Sequence, residues 1–265
     1  MDLFSAAQDG IHSLYHYQSF NDRTAERLEQ TLRERAIRMS KPSDFNDPWD
    51  CKPWFDLSLL DDPHEREQHL QWLAQTATIP PDEVDALRAN PQQLAAYVDL
   101  IHTGHIQAIA DIYRVYCLLP EADHPLMWAH YGDSHKGIAL EFDARHQQIQ
   151  WAYRVHYRET YPPYRLYEED DNANLVPIFT KSEVWAYERE YRMVAEERQR
   201  PRPIMLETRD SMLQLAEGAL VGVVLGCQCD ELRTLDLIDQ YGPDLRVRRA
   251  KRMTNKYALT LETIR

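Results

Sequence analysis

The chain has 265 residues, 43% of them hydrophobic and 28% charged, and a formal net charge of −13. This length and composition suffice for a folded protein with a substantial core. The acidic balance disfavours bulk nucleic-acid binding, because both surfaces would be negative, and no apolar run reaches the length of a membrane span. The first residues lack a signal-peptide pattern and the four cysteines form no disulfide framework, so we expect a cytoplasmic protein.

The N-terminal part predicts a strand, a helix and a second strand. Residues 14–17 are mostly aromatic and strand-like. Apolar residues at 25, 28, 32 and 36 recur at helical spacing after N-cap candidates at 21–24. Residues 37–40 then alternate apolar with polar, as a half-buried strand does, and the Pro, Asn and Asp content of 41–49 predicts a loop.

Residues 63–116 are predicted to be helical, with Asn90 as an N-cap before Pro91. Most later segments suit strands, and the acidic run 168–171 suits a solvated loop. In the strand predicted at 137–142, Ile138, Leu140 and Phe142 would share one face. We therefore predict an α+β fold with mixed or mostly antiparallel sheets, forming a single domain over 1–265 with a helical insertion at about 60–116.

Four segments carry side chains suited to chemistry. They are the run around His16, the Phe45-Asn46-Asp47-Pro48 turn, the segment 127–137, and the segment 181–192. In the third, Trp128, His130 and Tyr131 precede two glycines and a strand, which suits a wall for a planar ligand. No His or Cys cluster has convincing metal-ligand spacing, so we predict no metal site.

In the fourth segment Glu188 and Glu190 are two residues apart. On a strand both carboxylates would project to one face, and their repulsion would raise one pKa unless a cation or ligand intervened. In a helix, Glu188 and Arg192 would instead form an ordinary ion pair one turn apart. The sequence leaves both interpretations open.

Together these segments resemble a bacterial family, the domain of unknown function 2971 proteins. The matching pieces are LYHYQSF at 14–20, FNDPWD at 45–50, MWAHYGDSHKGIALEFD at 127–143 and KSEVWAYEREYR at 181–192. They cover most of the chain between Leu14 and Arg192. This family name implies no established reaction.

The order of elements also resembles, more weakly, that of ADP-ribosyltransferases, which begin with a strand carrying His or Arg and carry a late glutamate. This resemblance implies a split sheet, NAD as the substrate-cofactor, and an unknown macromolecular acceptor, in a toxin or phage-defence setting. Glu190 would stabilise the positive charge that develops on the ribose, Glu188 would orient or deprotonate the acceptor, and His16 would bind the distal ribose. Residues expected to contact the nucleotide are His16, Tyr17, Ser40, Asn46, Asp47, Trp128, His130 and Tyr131.

Two other functions fit the same residues. A metal-dependent phosphodiesterase or nuclease would group Asp47, Glu141, Glu188 and Glu190 around Mg²⁺. A non-catalytic nucleotide-sensing module would bind its ligand through the aromatic residues at 128–131 without turnover.

Overall fold

The computed structural model describes residues 2–76, 79–165, 167, 175–197 and 206–265. They form two compact units, each assembled from separate chain segments. Unit 1 contains residues 42–112 and 156–183, and unit 2 contains residues 2–41, 113–155 and 184–265. The acidic run 168–171, predicted to be a loop, lies outside the described residues.

The regular elements are helices, three of them consecutive, and mostly short strands. The helices are α1 (Ala25–Glu34), α2 (Pro63–Thr76), α3 (Pro81–Ala89), α4 (Pro91–Ile112), α5 (Pro125–His130) and α6 (Glu231–Tyr241). The strands are β1 (Ser13–Gln18), β2 (Ala36–Arg38), β3 (Tyr113–Leu118), β4 (Ile138–Asp143), β5 (Tyr153–Arg154), β6 (His156–Arg158), β7 (Thr180–Ser182), β8 (Tyr191–Glu197), β9 (Leu206–Thr208), β10 (Met212–Gln214), β11 (Leu220–Leu225), β12 (Arg246–Arg252) and β13 (Leu259–Thr263). The structure confirms the α+β class.

Unit 2 contains the larger sheet, in the order β1-β4-β11-β12-β13. Its pairs are antiparallel except β11 with β12. Because parallel neighbours need a crossover, α6 lies between these two strands in the chain, and Asp230 caps its first turn by accepting from the Arg233 amide. A second sheet runs β3-β8-β5, with β9 parallel to β8. The sheets are thus mixed, as predicted, and the described strands form no closed barrel.

The core of unit 2 follows the predicted alternation of β4. Ile138, Leu140 and Phe142 lie in one apolar cluster, whereas Ala139 lies in another with Tyr17 and Trp128. Strand β1 pairs with β4 along its whole length and presents its residues to the same two faces in turn. His16 and Tyr17, two of the predicted site residues, are adjacent in β1 and therefore point in opposite directions.

Unit 1 contains the consecutive helices α2, α3 and α4. Leu70, Leu73, Val84, Leu94 and Val98 pack into its own apolar cluster. Helix α4 begins at Pro91 as predicted, and the Asn90 side chain accepts from the backbone of Gln93. The helix ends at Ile112 rather than near 116, because the next residues form β3 and pair with β8.

No helix within the described ranges is long and apolar enough to cross a membrane.

Candidate functional site

The predicted site residues divide between the two units. Unit 2 contains His16, Tyr17, Ser40, Trp128, His130, Tyr131, Glu188 and Glu190, whereas unit 1 contains Asn46 and Asp47. In unit 1 Asp47 is buried, and its side chain accepts from the Trp49 amide at 2.9 Å, while Asn46 is exposed. Ser40 is exposed too, and its backbone pairs with Val115 of β3. The side chain of Asp47 thus stabilises a turn, and Ser40 takes part in strand pairing through its backbone.

His16 of β1 is held as a neutral imidazole. Its ring stacks on Tyr116 with the centroids 4.0 Å apart, and Nδ1 lies 2.8 Å from the Cys117 carbonyl oxygen. Burial lowers the pKa of His16 to about 4, against the smaller opposing effect of that hydrogen bond. At neutral pH Nδ1–H therefore donates to Cys117, and Nε2 is an unprotonated acceptor.

Tyr17 and Trp128 are core residues on the opposite face of β1 from His16. Their rings meet edge to face at 4.9 Å. The indole N–H of Trp128 donates to the Ala122 carbonyl at 2.8 Å, and the Tyr17 hydroxyl donates to the Glu121 carbonyl at 2.8 Å. Trp128 has no exposed surface, so its polar group is satisfied inside the fold and its ring is unavailable as a ligand wall.

Glu188 is a buried carboxylate at the end of a short 3₁₀ helix, Glu183–Glu188. Only 3% of its surface is exposed, and Oε1 accepts from the Tyr131 hydroxyl at 2.7 Å. Arg189 follows with φ of +52°, which turns the chain before β8 begins. Glu188 therefore belongs to the 3₁₀ helix, whereas Glu190 directly precedes β8. The two glutamates thus share neither one strand nor one helix, which were the two geometries predicted for this segment.

Glu190 is bound bidentately to Arg192. Its two oxygens accept from Nε at 2.7 Å and from Nη2 at 3.0 Å. Arg192 has no exposed surface and Glu190 only 2%. Two parallel charge-assisted bonds in a dry environment fix both side chains. Arg192, which the sequence offered as a helical partner of Glu188, is thus bonded to Glu190 from a strand.

Aromatic side chains from α5 and the 3₁₀ helix lie together next to Glu188. The His130 ring meets Trp185 at 6.2 Å, Trp185 lies 6.1 Å from Tyr187, and Tyr187 stacks on His124 at 6.0 Å. We call these four residues, with Tyr131, the aromatic strip. All five are at least partly exposed. They offer ring faces beside a buried negative charge, an arrangement suited to a planar ligand.

Sequence reasoning missed Trp185 and Tyr187 as parts of this site. A signal was present, because Trp185, Tyr187 and Glu188 lie within one turn of the same short helix. Both rings lie in the fourth segment, 181–192, in which only the two glutamates have a predicted role. The contact of Tyr131 with Glu188 joins residues 57 positions apart and has no local pattern.

The carboxylates of the predicted Mg²⁺ site have other partners. Glu141 has no exposed surface and is paired with Arg246 and Arg248, while the Tyr15 hydroxyl donates to it at 3.3 Å. Among the residues the structure describes, no three His, Cys, Asp or Glu side chains are grouped as metal ligands. Arg246 and Arg248 belong to β12, in which Arg249 and Lys251 also contact glutamates.

Comparison with known proteins supports one of the resemblances inferred from sequence. No curated protein and no solved structure matches the chain. The segment 127–193 contains most of α5, most of the aromatic strip, and both Glu188 and Glu190. Residues 127–193 match the family model described as Protein of unknown function (DUF2971), so the chain is similar to that family over this segment.

Proposed function

We propose that unit 2 binds NAD as a substrate and transfers its ADP-ribosyl group to a macromolecular acceptor, in the manner of an ADP-ribosyltransferase. The observation that carries the proposal is the buried Glu188 carboxylate, fixed by Tyr131 beside the aromatic strip. A planar, positively charged nicotinamide ring suits exposed aromatic faces next to a fixed negative charge.

The reaction needs a carboxylate near the breaking bond. As the bond between ribose C1′ and the nicotinamide nitrogen lengthens, its electron pair moves to the ring, which leaves as neutral nicotinamide. Positive charge develops on the ribose, and a preorganised carboxylate stabilises it. The acceptor's nucleophile then bonds to C1′, and its proton passes to a base or to solvent.

We assign the charge-stabilising role to Glu188 rather than Glu190. Both oxygens of Glu190 are bound by Arg192, so a contact with the ribose would require this buried pair to open. In this proposal Glu190 positions the start of β8. His16 supplies a hydrogen-bond acceptor, Nε2, for a ribose hydroxyl, since its other nitrogen is bound to Cys117.

The test is to incubate the purified protein with NAD and follow nicotinamide release by chromatography and NAD binding by calorimetry. Glu188→Gln keeps the size of the side chain and removes its charge, so we expect binding within a few-fold and at least a hundredfold slower release. Glu190→Gln tests the rival assignment, His16→Ala tests the ribose contact, and exposed Glu217→Gln is the matched control. A folded protein that neither binds NAD nor releases nicotinamide would overturn the proposal.

A second candidate is a nucleotide-sensing module without turnover. The observation that favours it is the placement of His16, which stacks on Tyr116 of one apolar cluster, whereas Tyr131 packs against the other cluster. Its signature would be a rise in melting temperature with NAD or a mononucleotide, dependent on Trp185, with no product formed.

A further inference from the structure

Unit 1 contains a narrow groove that takes no part in the proposed reaction. It has a volume of about 220 Å³ and is lined mainly by Pro53, Trp54 and the run Tyr161-Pro162-Pro163-Tyr164. This is below the roughly 300–1,000 Å³ of pockets for drug-sized ligands, so it suits one ring system. Trp54 keeps 43% of its surface exposed although it is large and apolar.

The groove walls are held in place from two sides. Pro163 pairs with Trp54 in an isolated bridge, and the Tyr164 amide donates to the Trp54 carbonyl at 3.0 Å. The Tyr161 hydroxyl donates to the Trp49 carbonyl at 2.6 Å. The two consecutive prolines have fixed φ angles, so this wall is stiff. A preformed wall lowers the entropic cost of binding.

Behind the groove, Tyr164 is fixed by aromatic neighbours. Its hydroxyl lies 3.0 Å from Nε2 of His105, and its ring meets Phe55 edge to face at 5.1 Å. Phe55 in turn stacks on buried His102 at 3.5 Å. The ring of Tyr164 is therefore positioned by packing rather than free to rotate.

Charge in the groove has one sign. The charged residues that line it are Lys52 and Arg165, and Arg165 is already paired with Glu65 at 3.3 Å, so Lys52 is the cation that the argument uses. Lys52 donates one bond, to the Pro48 carbonyl at 2.7 Å, and has the capacity for two more. In a chain of net charge −13, a lysine with unused donor capacity beside aromatic rings indicates an anionic ligand.

We propose that this groove binds a planar aromatic anion, with its ring against Trp54 and its phosphate or carboxylate at Lys52. The two sources of such chemistry are nucleotides and aromatic carboxylic acids. The site lies wholly within unit 1, so it stands independently of the NAD proposal for unit 2.

The experiment is calorimetric titration of the full chain with adenosine 5′-monophosphate and with indole-3-acetate, beside uncharged adenosine and inorganic phosphate. We expect at least one of the two aromatic anions to bind about tenfold more tightly than adenosine or phosphate alone. Binding of the monophosphate alone assigns a nucleotide, and binding of the indole acid alone assigns an aromatic acid.

Variants locate the binding. Trp54→Ala removes the stacking ring and should weaken binding of the anion about tenfold. Tyr257→Ala removes an exposed ring that does not line the groove and should change nothing. Lys52→Gln should abolish the preference for the anion over adenosine. The proposal is overturned if neither anion binds the folded protein, or if binding survives Trp54→Ala but is lost in Trp185→Ala, which assigns it to the aromatic strip.

Discussion

The pair formed by Glu190 and Arg192 concentrates opposite charge in the interior of unit 2. Removing a charge from water costs several kcal/mol, and a buried pair offsets this only when its geometry is good. Here the guanidinium meets both carboxylate oxygens, and neither side chain is exposed by more than 2%. The pair therefore depends on both members being present.

We expect Arg192→Met to lower the free energy of unfolding by about 3–5 kcal/mol, because it leaves Glu190 buried without its cation. Adding Glu190→Gln to that variant should recover part of the loss, since an amide is cheaper to bury than a carboxylate. Urea denaturation measures both. A single variant as stable as the parent would show that Glu190 is protonated or hydrated in the fold.

His102 of α4 is a buried histidine with an unusual environment. Neither ring nitrogen has a hydrogen-bond partner, and the ring stacks on Phe55. Burial, with His69 and His105 nearby, lowers the pKa of His102 to about 4. The unfolded chain thus takes up a proton at higher pH than the fold does. The contribution of neutral His102 to the free energy of unfolding is therefore fully present above about pH 6.5 and decreases as the pH falls towards 4.

His102→Leu should therefore leave the stability at pH 7.5 unchanged or raised, because it removes buried polar atoms that have no partner. It should also reduce the loss of stability between pH 6.5 and 4. His16 has the same shift and remains, so part of the loss persists. Urea denaturation at several pH values measures this, and an unchanged pH slope would contradict it.

Among the elements, β11 shows how a strand makes room for a buried charge. A Cβ at Gly222 would lie 2.7 Å from the Arg246 carbonyl oxygen and 2.8 Å from Oε2 of Glu141. Gly222 is paired with Glu141 on one side and with Arg246 on the other. The missing side chain thus leaves space for the Glu141 carboxylate at the centre of the sheet.

We expect Gly222→Ala to destabilise the protein by about 1–3 kcal/mol, because the added methyl would displace the Glu141 carboxylate or separate β11 from β12. Gly104→Ala is the control. A Cβ at Gly104 meets no atom within 4 Å, and alanine in a helix interior gains about 0.5–1 kcal/mol. Thermal denaturation should move in opposite directions for the two variants. A Gly222→Ala protein of parental stability would contradict the argument.

Sequence pattern could predict the faces of a strand and the start of a helix but not the partners of a residue. The predicted alternation in β4 and the predicted start of α4 at Asn90-Pro91 are both confirmed, because each depends on residues a few positions apart. The end of α4 was missed, since pairing of the following residues with β8 outweighs local helical preference. Glu188 meets Tyr131 and His16 meets Cys117 across 57 and 101 residues, and no local spacing encodes those contacts.

On the scale of the whole molecule, each unit has its own apolar cluster. Leu73 of α2 is fully buried in unit 1, whereas Leu140 and Met193 belong to the cluster of unit 2. A chain that folds as the predicted single domain would lose both clusters in one cooperative transition. Separate transitions would instead indicate two folding units.

Leu73→Ala tests this prediction. It should lower the free energy of unfolding by about 2–5 kcal/mol through loss of packing in unit 1. If the single-domain prediction holds, a fluorescent label in unit 2 will report the same lowered midpoint as far-ultraviolet circular dichroism. A label signal that keeps the parental midpoint would contradict it. Exposed Leu100→Ala on α4 is the control, with little change expected.

The discontinuous make-up of the units has a practical consequence for cloning. Residues 127–193 would look like a natural fragment to express, because they match the family model. Yet residues 127–155 and 184–193 belong to unit 2, and residues 156–183 to unit 1. Such a fragment would carry β4 without β1 or β11, and only the start of β8 without β3. The strand edges that lose their neighbours would expose apolar surface, so expression of the fragment should yield aggregates. Each unit should therefore be expressed as part of the intact polypeptide.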